Sequence, residues 1–223
     1  MNTTFSAQLR KEADPILRQT YSHPFVQGIA KGDLRPEQLI HYVKQDYEYL
    51  NAMIRTRAIA ITKCETREDM EMFHRGIAYA LYDEGAAHEN LCRVAGVTYA
   101  ELQGSRPAPT AHLYMSHMIA AAAVGTVGDI LAATLPCPWI YREIGRRLMQ
   151  EVNPDRAHPF YDWITIYGRD GGNALDRSFT RLDQLAEEAS PGAVNRMREL
   201  FLTGCRMEYM FFDMAYKLEE WPV

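Results

Sequence analysis

No stretch of the sequence alternates apolar and polar residues as a half-buried strand must, whereas almost every long segment repeats its apolar residues at helical spacing. That pattern commits the chain to an all-α fold, a bundle of helices packed on helices. The spacing predicts a first helix over roughly 4–20, with Pro15 a candidate kink, and a long helix from Pro36 to about Lys63. At ~1.5 Å per residue the long helix would run about 40 Å, the width of a whole domain. Thr66 reads as an N-cap, with Asp69 three residues on, for a helix continuing to about Ala95, where Gly96 stops it. Further helices are predicted over 110–124, 131–148, 159–167, 173–188 and 191–217, with a turn at Gly171-Gly172 and Ser190-Pro191 opening the last.

The segment 131–148, L-A-A-T-L-P-C-P-W-I-Y-R-E-I-G-R-R-L, keeps a helical period through two prolines and so reads as a single kinked helix with Cys137 at the kink. Tyr141 lies one turn further on the same face, which brings a phenol near the sulfur. A free cysteine is usually a small buried hydrophobe, so a nucleophilic role needs support from other residues.

With 223 residues, 47% hydrophobic and 24% charged, the chain can bury one substantial core and reads as one domain over residues 1–223. A formal net charge of -5 with scattered basic residues gives no footprint for nucleic acid. No apolar run reaches the length of a membrane span, and the first residues, Met-Asn-Thr-Thr-Phe, lack a basic-then-apolar leader, so a soluble, cytoplasmic protein is expected. Cys64, Cys92, Cys137 and Cys205 show no C-x-x-C spacing, which argues against a disulfide framework and a zinc site.

The informative residues are ionisable groups on apolar stripes. Asp46 interrupts the face formed by Leu39, Tyr42, Val43, Tyr49, Leu50 and Met53, and Glu208 interrupts the face of Met197, Phe201, Phe211, Phe212 and Ala215. Glu84 and His88 fall on a stripe running from Met70 and Phe73 through Leu81 to Leu91. A buried carboxylate must find a partner or shift its pKa. Together with Cys137, Tyr49, Tyr114 and Tyr141 these groups suggest a pocket for a flat heteroaromatic ligand, with sulfur as nucleophile and a carboxyl of raised pKa as proton source. Such a pair predicts a bell-shaped pH profile if the acid must be protonated and the thiol ionised. Two alternatives stand beside this reading: a di-iron oxygenase of the same fold, using Glu84 and His88 as half of a site whose other half is poorly supplied with ligands, and a protein that binds such a ring without turnover.

The sequence resembles the TenA family, the thiaminase II or aminopyrimidine aminohydrolase proteins, which are similar to heme oxygenase in fold. The resemblance runs nearly end to end and is carried by H-P-F-V-Q-G-I (23–29), Y-V-K-Q-D-Y-E-Y-L (42–50), P-T-A-H-L-Y-M-S-H-M (109–118), I-L-A-A-T-L-P-C-P-W-I-Y (130–141) and E-Y-M-F-F-D-M-A-Y (208–216). It implies that Cys137 is the nucleophile, Glu208 the acid/base, and Asp46 the group that binds the exocyclic amine and a ring nitrogen of a pyrimidine, with Tyr49, Tyr114, Tyr141 and Tyr167 lining the pocket. Tyr167 is matched through I-Y-G-R-D, where the family more often has Y-G-G-D, so Arg169 departs from the pattern. The resemblance further implies hydrolysis at the exocyclic methylene of 4-amino-2-methylpyrimidines in thiamin salvage, releasing ammonia or the thiazole of thiamin. No metal or organic cofactor would be needed, and the assembly would be a homotetramer.

Overall fold

The computed structural model describes residues 3–169 and 172–223. In chain order these form α1 (Phe5–Tyr21), α2 (Pro24–Lys31), α3 (Pro36–Ile61), α4 (Arg67–Tyr82), α5 (Gly85–Ala95), a 3-10 turn (Tyr99–Leu102), α6 (Pro109–Val124), α7 (Val127–Thr134), α8 (Pro136–Val152), α9 (Tyr161–Gly168), α10 (Ala174–Glu187) and α11 (Pro191–Lys217). No strand occurs among the described residues, and none of their helices is long and apolar enough to cross a membrane. The turn expected at Gly171-Gly172 lies partly outside the described residues.

The two longest helices, α3 and α11, touch each other and receive most of the rest. Helices α4, α5 and α6 pack on α3, while α1, α6, α7 and α8 pack on α11. Local chemistry sets where these helices begin. Thr4, Thr66 and Ser190 each accept an amide of the first turn, and Pro36, Pro109 and Pro191 occupy first-turn positions where a missing amide costs nothing. Asp129 caps α7 through Thr126 and is held by Arg196, whose guanidinium donates to both carboxylate oxygens at 2.9 and 3.1 Å. That ion pair ties α7 to α11 just upstream of Cys137.

Two sequence expectations are corrected. The segment around Cys137 is two helices, because α7 ends at Thr134 and α8 starts at Pro136, with Leu135 as the shared residue. The prolines start a helix instead of bending one, and both lie in its first turn, where a missing amide leaves no intrahelical bond unmade. The helix expected from Thr66 to Ala95 also breaks, at Asp83 and Glu84, whose amides both donate to the Tyr79 carbonyl. Its anticipated stripe is only partly buried: Phe73 is in the core, but Met70 is 37% and Leu81 55% exposed. The reason is that α4 has little besides α3 and the start of α5 to pack against.

Helices α8 and α9 approach with their backbones nearly touching. A Cβ on Gly145 would fall 2.5 Å from the Gly168 nitrogen, and a Cβ on Gly168 would fall 2.6 Å from the Gly145 oxygen. Only two facing glycines permit this spacing, which sets Tyr167 against the middle of α8.

Candidate active site

Asp46 and Tyr49 come from α3, Tyr114 from α6, Cys137 and Tyr141 from α8, and Glu208 and Phe211 from α11; together these seven line one inner chamber. A larger cavity of about 660 Å³ adjoins it and shares Asp46, Cys137 and Tyr141 with its wall. Tyr167, the seventh residue expected from sequence, lines the larger cavity. The inner chamber itself is tight, about 10 Å³, so a flat ring needs the neck between the two cavities as well.

The acid on α11 is almost fully enclosed. Glu208 is 2% exposed and accepts a hydrogen bond from the Tyr114 hydroxyl at 2.6 Å. Burial pushes its carboxyl up to about 8; the Tyr114 bond and contact with the Cys137 thiol oppose the rise, and the charge of Asp46 adds to it. At neutral pH Glu208 therefore holds its proton.

Cys137 is partly exposed, to the cavities. Burial, then the charges of Glu208 and Glu84, raise its thiol well above the ordinary range, and Tyr49 works in the opposite direction. The Tyr49 hydroxyl is buried with no hydrogen-bond partner among the described residues, which leaves its proton available to a developing thiolate beside it. Cysteine at rest is thus a thiol, with a site arranged to accept the charge as it forms. The premise of an ionised resting thiol, and with it the acid limb of the expected bell, is not met.

Asp46, 6% exposed, is bonded through Oδ2 to His88 Nε2 at 2.5 Å, and His88 Nδ1 meets the Tyr99 hydroxyl at 3.1 Å. Burial pulls the His88 pKa down, but the bond to Asp46 and its charge outweigh that and leave it raised. The pair fixes the Asp46 carboxyl at the chamber wall. Glu84 turns elsewhere and accepts from the Tyr167 hydroxyl at 2.6 Å. The two candidate iron ligands thus diverge, and among the described residues no three His, Cys, Asp or Glu side chains converge as metal ligands would.

Aromatic rings complete the walls. Tyr49 lies 4.8 Å from Tyr114 and 5.8 Å from Phe211, centroid to centroid, and Tyr141 lies 4.9 Å from Tyr167. The hydroxyls of Tyr141 and Tyr42 are hydrogen-bonded, linking α8 to α3. Sequence reasoning did not single out Phe211, Tyr42 or the Asp46–His88 bond. Periodicity placed each residue on a buried face, but their pairing joins helices far apart in sequence.

Over residues 10–218 the sequence matches the TENA/THI-4/PQQC family. The chain belongs to this family. Within it, the chain is 36% identical to the aminopyrimidine aminohydrolase of Halalkalibacterium halodurans, covering 98% of both chains, and 33% identical to that of Bacillus subtilis, covering 97% of this chain and 92% of the relative. Among solved structures it is similar to a TenA homologue from P. horikoshii, with a TM-score of 0.81 and 25% identity over 96% of this chain and 99% of the other. A heme-oxygenase-like protein from Shewanella denitrificans shares the fold at a TM-score of 0.70 and 10% identity, over 95% of this chain and 91% of its own.

Proposed function

We propose that this member of the family is a hydrolase that cleaves the C–N bond at the exocyclic methylene of 4-amino-2-methylpyrimidines, acting in thiamin salvage on the aminomethyl compound and on thiamin, and yielding the hydroxymethylpyrimidine. The observation that carries the reading is the meeting of a thiol, a protonated carboxyl and a fixed aspartate at one chamber. Asp46 accepts from the 4-amino group and Glu208 faces a ring nitrogen on the far side. Glu208 gives its proton to that nitrogen and takes the thiol proton as Cys137 sulfur adds to the adjacent ring carbon. Aromaticity is lost, and the amino nitrogen then pushes electrons through the ring to expel the leaving group, with Asp46 countering the positive charge on the amine. Water adds to the exposed methylene. Sulfur departs, Glu208 retrieves the ring proton and returns one to sulfur, and the aromatic product is released. A homotetramer and a cytoplasmic location belong to the same reading.

Replacement of Cys137 by serine tests it. Turnover of both substrates is expected to fall by about 10³-fold or more, as for loss of other covalent nucleophiles. An unchanged rate would show that sulfur forms no bond to substrate and would leave only binding.

A further inference from the structure

Glu84 is a half-buried acid that the mechanism above leaves idle. It sits at the break between α4 and α5, lines the larger cavity and is held by the Tyr167 hydroxyl. Its charge acts on the Cys137 sulfur more strongly than that of Asp46, which lines the inner chamber itself. Burial raises its own pKa.

The chemistry of the ring says what passes in front of it. In the substrate, the carbon bearing the methylene lies between the carbon bearing the amine, held at Asp46, and the carbon attacked by Cys137. Asp46 and Cys137 are two of the three residues common to both cavities. The methylene therefore points at the neck between them, and the leaving group enters the larger cavity where Tyr167, whose hydroxyl holds Glu84, lies 4.9 Å ring to ring from Tyr141, the third shared residue.

On the strength of that reading of the site, we propose that Glu84 is the catalytic acid and base for the leaving amine and that Tyr167 is its positioning residue. The Glu84 carboxyl gives its proton to the amine nitrogen as the C–N bond breaks, and ammonia departs with the bonding pair. Water then adds to the methylene and its proton passes to the Glu84 carboxylate, which restores the acid for the next cycle. The sum is amine plus water going to alcohol plus ammonia. Thiamin makes only half of this demand, because its quaternary thiazolium leaves as neutral thiazole without taking up a proton. Glu84 thus fits the enzyme to a poor, basic leaving group.

The test compares kcat for the aminomethylpyrimidine and for thiamin in Glu84→Gln and Tyr167→Phe. General acid catalysis contributes about 10²- to 10⁴-fold, so Glu84→Gln is expected to lose about that much on the amine and at least ~10-fold less on thiamin. Tyr167→Phe is expected to lose about fivefold more on the amine than on thiamin, the worth of one hydrogen bond. Losses in Glu84→Gln that differ by less than ~10-fold between the substrates would overturn the assignment. If that variant does not melt cooperatively, Tyr167→Phe decides, equal losses counting against it. Cys137→Ser separates the two failures: a variant that still turns over thiamin refutes the covalent reading, whereas an inactive one leaves the Glu84 result to stand by itself.

Discussion

Replacing Glu208 by glutamine is expected to make the protein more stable in mild alkali and slightly less stable in acid. The carboxyl titrates near 4.5 in an open chain and at about 8 in the fold, because burial outweighs the Tyr114 bond. Between those values the folded state keeps a proton that the unfolded state releases, so stability falls as pH rises through the window, at ~1.4 kcal/mol per unit. The cost of ionised Glu208 is absent below pH 4.5 and reaches roughly 5 kcal/mol above pH 8, a large part of the 5–15 kcal/mol typical of a folded protein. Glutamine never ionises and keeps an oxygen for the Tyr114 hydroxyl, but it brings amide hydrogens into the chamber at a cost of about 1–3 kcal/mol. The variant is therefore expected to lose up to about 2 kcal/mol at pH 5 and to gain about 1–3 kcal/mol at pH 8, with a crossing between. Urea unfolding of both proteins, followed by circular dichroism at equal protein concentration across that range, reads the difference directly. A difference that stays constant within ~1 kcal/mol from pH 5 to pH 8 would refute the burial argument.

Catalysis is expected to follow the same ionisation. kcat/KM reports the free enzyme, so it is expected to fall above a pH of about 8 as Glu208 loses its proton, and Glu208→Gln should abolish that limb along with most of the rate; a flat alkaline profile in the parent protein would remove the assignment. Gly204, one turn before Glu208 on α11, packs on the start of α8: a Cβ there would lie 2.6 Å from Pro136 Cγ. Gly204→Ala is expected to destabilise by about 1–3 kcal/mol and to lower kcat by moving Cys137 relative to Glu208. Unchanged kcat in a variant with a lowered melting temperature would mean that this contact supports packing alone.

What the sequence revealed and concealed divides along one physical line. Helical period is a local property, so it exposed Asp46 and Glu208 as acids on buried faces, and both are buried. It could not say what each one meets. Asp46 is bonded to His88, 42 positions away, and Tyr42 to Tyr141, 99 positions away, and only the packing of α3 against α5 and α8 creates those pairs. The prolines flanking Cys137 were legible as a disturbance but not as a helix start, because a kink and a first turn share the same residue types. The break at Glu84 carried the weakest signal, a lone Gly85, and without that break the side chain that turns toward Tyr167 would continue along one helix with His88.

The near-contact of Gly145 and Gly168 gives the outer cavity a calliper. Two absent methyl groups fix how closely Tyr167, and the acid it holds, stands to the thiol's helix, while five of the seven residues around the ring chamber stand on α3, α6 and α11, helices that do not form that gap. Drift at either glycine is thus expected to retune which leaving groups are released before it affects which rings are grasped.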